Sequence, residues 1–184
     1  MYWSPSSGTA LAEAELEYDD HTSTAVYVRF PLHPSKGLQN SIAEVATSSA
    51  GANAAANAIS ALAWTTTPWT IPSNKALAIN PMVSYSLAHV SWPEGDSGSG
   101  KGKETFLVAT DLVAEVSSIM GCTVEHVVAV SSDDILASSY TAPWCSSDSD
   151  GCGSAGGSGV EQPILPADYV TADSGTGVVH TAPV

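Results

Sequence analysis

The sequence predicts a mainly β, α+β fold: an antiparallel, β-barrel-like core with peripheral helices. Two observations predict it. Short apolar runs recur along the chain, several alternating with polar residues as half-buried strands do. Against them stands a single segment with convincing amphipathic helical spacing, Leu112–Met120, ended by Gly121.

Taken in order, residues 9–18 (TALAEAELEY) are rich in good helix formers, with Ser7 or Thr9 as a cap, and predict a helix. The alternation of Leu11, Glu13, Glu15 and Glu17 also allows an extended run. Residues 24–32 (TAVYVRFPL) alternate as a strand, which Pro31, Pro34 and Gly37 then break. Residues 41–58 are rich in Ala, Ser and Asn and read as a weak helix or a linker. Ile59–Trp64 is a buried strand, and 75–80 and 82–90 are two more, separated at Asn80-Pro81. Residues 93–103 read as a flexible loop. Glu104–Ala109 is a strand leading to a Thr110-Asp111 cap and the 112–120 helix; Val124–Val130 is a further strand. Residues 145–160 are a Gly/Ser/Asp insert, expected to be disordered. After a Pro-rich lead at 163–169, Val170 begins a strand, Gly175-Thr176-Gly177 a turn, and a second strand ends at His180.

Composition narrows the function. The chain has 184 residues, 19 acidic against 5 basic, for a net charge of −14. Such a surface repels phosphate and argues against autonomous, tight nucleic-acid binding. The three cysteines, Cys122, Cys145 and Cys152, form no CxxC pair, so neither a disulfide framework nor a zinc site is expected. The 145–159 run has the Asp/Ser/Gly content of a calcium loop but lacks its glutamate, and no metal is expected. With no signal peptide or long apolar run, the chain reads as soluble and intracellular, with no membrane partner. Its abrupt start and finish read as those of a piece of something larger.

The most informative stretch is Trp64-Thr65-Thr66-Thr67-Pro68-Trp69-Thr70-Ile71-Pro72-Ser73-Asn74. Two Xaa-Pro steps push Thr67 and Ile71 away from the helical region, so an extended or turning backbone is expected. Four hydroxyls, two indoles and an amide within eleven residues suit a small polar ligand held against aromatic walls. They suit a Thr-rich edge strand equally well. Gly175-Thr176-Gly177 lacks the third glycine and following helix of a dinucleotide loop, and alone reads as a tight turn. His180 alone reads as a structural histidine.

Together, residues 3–18 (WSPSSGTALAEAELEY), 64–74 (WTTTPWTIPSN) and 167–183 (ADYVTADSGTGVVHTAP) resemble, in this order, the editing domain of isoleucyl-tRNA synthetase, the large connective insertion. The bacterial and organellar type is the more similar one. The related valyl and leucyl enzymes carry Arg-Pro where this chain has Thr67-Pro68. The resemblance covers about 45 of 184 residues closely. It implies one editing domain over residues 1–184, of a class I aminoacyl-tRNA synthetase, with the two inserts as surface elaborations. It also implies hydrolysis of valine wrongly attached to isoleucine tRNA. The partners are then the valine-bearing 3′ end of tRNA(Ile) and the remainder of the synthetase chain, in the bacterial cytoplasm or the mitochondrial matrix. No cofactor is implied for editing; ATP would serve the synthetic domain.

By the same resemblance, Trp69 and His180 wall the side-chain pocket, and Thr67 and Thr70 contact the aminoacyl group. Thr65 and Thr66 complete the threonine wall, and Asn74 supports the site or contacts the terminal adenosine. Trp64 is as much a core as a site candidate; Gly175 and Thr176 form the facing turn. Thr66, Thr67, Thr70 and His180 are thus the candidate catalytic residues. Water is the implied nucleophile, with positioning and carbonyl polarisation carrying the rate.

Two departures bear on function. The family continues beyond His180-Thr181-Ala182-Pro183 with Gly-His-Gly and an aspartate that anchors the substrate ammonium group, whereas Val184 ends this sequence. Losing a charged hydrogen bond costs ~1.5–3 kcal/mol, so a non-catalytic binding module for the aminoacylated 3′ end is the alternative reading. Gly8 also stands where the family usually has Arg.

Overall fold

The computed structural model describes residues 2–20, 22–48, 59–92, 103–142 and 161–183. Eleven strands and three α-helices are assigned among them, with short 3₁₀ helices besides. The strands are β1 (Tyr2–Ser4), β2 (Thr9–Leu11), β3 (Val26–His33), β4 (Ile59–Thr65), β5 (Ala76–Ile79), β6 (Tyr85–Ser91), β7 (Lys103–Ala109), β8 (Thr123–Val130), β9 (Ser139–Tyr140), β10 (Gln162–Pro166) and β11 (Val179–Thr181). The helices are α1 (Lys36–Ser48), α2 (Val113–Met120) and α3 (Ser132–Leu136).

Nine strands form one sheet in the order β11-β5-β10-β9-β3-β4-β7-β6-β8. It is a mixed α+β fold, and the barrel-like core expected from sequence is an open sheet: β11 and β8 are its two ends and do not pair. Nor is it wholly antiparallel, since β10 with β5 and β4 with β7 run parallel. Parallel neighbours need long crossovers, and here the intervening stretches supply them. The core is the sheet's own apolar side chains with those of the helices; Phe30, Leu62, Leu77, Ile79, Leu87 and Leu107 lie fully buried in it.

Several local expectations are corrected. Residues 9–18 are not a helix. Gly8, at φ +64°, donates its N–H to the Ser4 carbonyl at 2.8 Å and folds β2 back onto β1, leaving only a 3₁₀ turn at Glu13–Glu15. Local hairpin pairing of Thr9–Leu11 with Tyr2–Ser4 overrides a weak propensity there, and Ser7 and Thr9 bond to each other at 3.1 Å instead of capping a helix. Pro31 does not end its strand: it pairs in register with Ser60, and its carbonyl accepts the Thr141 N–H at 2.9 Å. Gly37 lies inside α1, where the Asp134 carboxylate of α3 occupies the space a side chain would need.

Thr110-Asp111 form a 3₁₀ turn with Leu112 and provide no side-chain cap for α2. Gly121 ends α2 as expected, at φ +69°. The helix α3, with Ser131 accepting the Asp133 N–H, was not foreseen, nor was the pairing of β9 with β3 and β10. The Pro-rich lead at 163–169 contains most of β10, while Val170 is not in a strand. The inserts expected at 93–103 and 145–160 lie outside the described residues apart from Lys103, which opens β7; Cys145 and Cys152 and residues 49–58 lie outside them too.

Candidate functional site

The threonine stretch begins at the end of β4. Alternation along that strand turns Thr65 inward and leaves Trp64 on the opposite face. Thr65 is buried, and its Oγ1 accepts the Thr67 N–H at 3.0 Å and bonds to Thr67 Oγ1 at 3.1 Å. This local side-chain bond bends the chain out of the strand at Thr66. Of the extended or turning backbone expected, the segment that follows takes the turning form, as a short 3₁₀ helix, Pro68–Ser73. Its closing bonds run from Thr70 N–H to the Thr67 carbonyl (3.1 Å) and from Asn74 N–H to the Ile71 carbonyl (2.9 Å). A fixed proline φ is compatible with such a turn, so Pro68 and Pro72 are accommodated.

The turn delivers Thr70 to β11. Thr70 Oγ1 lies 2.7 Å from the Thr67 carbonyl, to which it donates, and 3.0 Å from His180 Nε2. A hydroxyl has one proton, so His180 Nε2–H must donate to Thr70 Oγ1, which assigns the tautomer. His180 Nδ1 then carries the lone pair, and it is buried without a hydrogen-bond partner among the described residues. Burial also holds the His180 pKa below its usual 6.5, keeping the ring neutral at pH 7.

The remaining candidates lie at different places. Thr66 is half-buried at the bend and Thr67 is exposed beside it. Trp69 projects from the turn, 73% exposed. Asn74 is buried, its amide spent within the fold: Nδ2 donates to the Ala76 carbonyl at 3.1 Å, and Oδ1 accepts from the Tyr140 hydroxyl. Trp64, 40% exposed, sits against Gly175; a side chain there would begin 3.6 Å from its ring. Thr176 is buried with its hydroxyl turned onto its own loop, donating to the Val178 carbonyl at 3.2 Å. The structure therefore brings Thr65, Thr67, Thr70 and His180 into one hydrogen-bonded group, and Trp64 and Gly175 into a separate contact.

The glycine turn owes its shape to packing. Gly175 and Gly177 have φ of +77° and +72°, the left-handed region that favours glycine. At Gly177 a Cβ would stand 2.5 Å from Ala109 Cβ. The Thr176 carbonyl accepts the Ala109 N–H (2.9 Å), and the Gly177 carbonyl accepts the Tyr85 hydroxyl (2.7 Å). These bonds aim β11 along β5, with His180 opposite Leu77 and Thr181 opposite Ala76.

Sequence reasoning did not single out Tyr140, Thr181 or Tyr85. Thr181 follows His180 directly and its polarity was visible; nothing local marks Tyr140 or Tyr85. An open hollow of about 540 Å³ borders Thr181, lined also by Lys75, Ala76 and Leu165. Among the described residues no cluster of three or more His, Cys, Asp or Glu is placed to hold a metal. No helix among them is long and apolar enough to cross a membrane, which says nothing of a β-barrel.

No family model matches the chain. It is similar over its whole length to the mitochondrial isoleucine–tRNA ligase of Mus musculus, 37% identical over 184 residues, and to the isoleucine–tRNA ligase of Gluconobacter oxydans, 38% identical over 186. It spans 15% and 17% of their respective lengths. Among solved structures it is similar to the editing domains of the cytosolic leucyl-tRNA synthetases of P. knowlesi and P. falciparum. The TM-scores are 0.57 and 0.53 at 10% and 12% identity, covering 87% and 86% of this chain and 59% and 61% of those. The sequence is thus homologous to a segment of isoleucine–tRNA ligases, and the fold is that of class I synthetase editing domains.

Proposed function

We propose that this chain is the editing domain of an isoleucine–tRNA ligase and hydrolyses valine from mischarged tRNA(Ile). The observation that carries the reading is the 3.0 Å contact between Thr70 and His180, which joins two segments 110 residues apart into one polar group. Similarity to the ligases supports an aminoacyl-tRNA as the substrate. The need is energetic: one methylene is worth only ~1–3 kcal/mol in a pocket, a limit for which isoleucyl enzymes are the standing example. A second site that admits valine and excludes isoleucine restores fidelity.

In this reading the substrate ester lies against the turn. Thr66 and Thr67 offer hydroxyls at the bend to hold the aminoacyl group and a water, and Trp69 and His180 bound its side chain. Thr70 is committed to holding His180, so its contribution is through that ring's orientation. A neutral His180 adds no positive charge beside the substrate ammonium group. None of these groups is a strong base, so the rate rests on orienting water and carbonyl. The tRNA 3′ end is the partner, with the rest of the ligase holding the remaining tRNA, in the cytoplasm or the mitochondrial matrix. Editing itself uses no cofactor; ATP belongs to amino-acid activation.

The test is deacylation of valyl-tRNA(Ile) by the full-length protein carrying this sequence. Thr67→Ala and His180→Ala are each expected to lower the rate ten- to a hundredfold, the cost of misplacing one positioning group. Unchanged rates in both variants sink the site assignment. Binding of a non-hydrolysable valyl-adenosine analogue without turnover by the wild-type protein replaces hydrolysis with recognition alone.

A further inference from the structure

The candidate turn is fastened to β11 at both its ends. Thr70 holds His180 at one end. At the other, Asn74 Nδ2 and Thr181 Oγ1 both donate to the Ala76 carbonyl, at 3.1 and 2.9 Å, and Lys75 N–H donates to the Thr181 carbonyl at 2.9 Å. Asn74 can reach Ala76 only with its amide in one orientation. That orientation is set from outside the site, by the Tyr140 hydroxyl donating to Asn74 Oδ1. Tyr140 is fully buried on β9, its ring edge-on to Phe30 at 5.4 Å and 88°. Two strands, β5 and β10, separate β9 from β11 in the sheet, and the Tyr140 hydroxyl bonds to Asn74 and to none of the candidate catalytic residues among the described residues.

We infer that Tyr140, Asn74 and Thr181 form a positioning clamp that sets the distance between the threonine turn and His180. A hydrogen bond between Tyr140 and Asn74 fixes the amide; the amide and Thr181 share one carbonyl; the shared carbonyl holds the turn's exit in register with β11. Without the Tyr140 hydroxyl, Asn74 Oδ1 is a buried acceptor with no donor, and the amide must turn or admit water. Either response releases the exit of the turn and loosens the Thr70–His180 contact. None of the three touches the reacting atoms, so their effect on the reaction is through geometry. The inference rests on the editing reading for its catalytic consequence and on the fold alone for its structural one.

Tyr140→Phe tests it, because the ring and its packing against Phe30 stay while only the hydroxyl goes. Two readouts are taken on the full-length protein. In deacylation of valyl-tRNA(Ile), kcat is expected to fall about ten- to a hundredfold with KM nearly unchanged. In imidazole NMR, His180 is expected to lose its single Nε2–H tautomer and titrate closer to pH 6.5 than in the wild type. Thr181→Val, which also removes a hydroxyl while keeping shape, moves both readouts in the same direction and covers the case in which Tyr140→Phe does not fold. Phe30→Leu is the control: it disturbs the same packing, lowers Tm, and leaves kcat and the His180 spectrum unchanged. A lower Tm in Tyr140→Phe and Thr181→Val with kcat and the His180 spectrum as in the wild type overturns the clamp. If the wild-type protein shows no deacylation, the editing reading fails, and the NMR comparison still decides the clamp.

Discussion

At the scale of single residues, two histidines, His89 buried and His180 half-buried, contribute to how the protein responds to acid. His180 Nδ1 has no hydrogen-bond partner among the described residues, and burial keeps its pKa below 6.5. His89 is fully buried in β6, its Nδ1 3.0 Å from Thr105 Oγ1. Burial lowers its pKa too, outweighing the pull of Glu125, whose Oε2 lies 3.8 Å from Nε2. Both groups bind protons less readily when folded than when unfolded. Their contribution to stability is therefore complete above pH 6.5 and is lost as pH falls through the folded-state values. Urea midpoints are expected to decline between pH 7.5 and 5.5, with both imidazoles titrating below 6.5 by NMR. A midpoint that rises on acidification contradicts this.

At the scale of elements, the glycine turn distinguishes conformational strain from steric clash. Gly175 and Gly177 share a positive φ, so alanine at either meets the left-handed penalty of roughly 1–2 kcal/mol. Gly175 has ordinary room for a methyl group beside Trp64, whereas Gly177 would drive one to 2.5 Å from Ala109. Chemical denaturation should show Gly177→Ala the more destabilising of the two by at least about 1 kcal/mol. Equal losses would mean that Ala109 gives way freely. Element positions were legible where the apolar pattern was strong, alternating in β3 and running on in β4 and β8, and also for β6 and β7. They were misread in residues 9–18, where Ala, Leu and Glu favour a helix but Gly8 and pairing with β1 decide otherwise. They were missed in β9 and β10, whose pairing depends on partners far away in sequence.

At the scale of the whole molecule, charge governs how a tRNA could be held. The chain carries five basic side chains and a net charge of −14. Two of those cations are engaged with carboxylates, Arg29 with Glu104 at 2.6 Å and Lys103 with Glu125 at 2.7 Å. A surface with so few cations neutralises few phosphates and releases few counterions. Filter binding of tRNA(Ile) to this 184-residue chain is expected to be weak, with little loss of affinity between 50 and 200 mM salt. A steep salt dependence would show that the chain grips the tRNA backbone itself. Within the editing reading, only the acceptor end meets this surface.

What the sequence determined by itself was chemistry and local pattern. The hydroxyls and indoles of residues 64–74, the alternation of the longer strands and the glycine turn before His180 are properties of neighbouring residues, and resemblance gave them an order. Tertiary structure alone decided which of them meet. It joined Thr70 to His180 and set Trp64 against Gly175. It spent the Asn74 amide on the fold, between Ala76 and Tyr140. It also opened the expected barrel into a sheet with two parallel pairs. The reason is physical: period and propensity act over a few residues, whereas strand order and hydrogen-bond partners follow from how distant segments bury their apolar faces together.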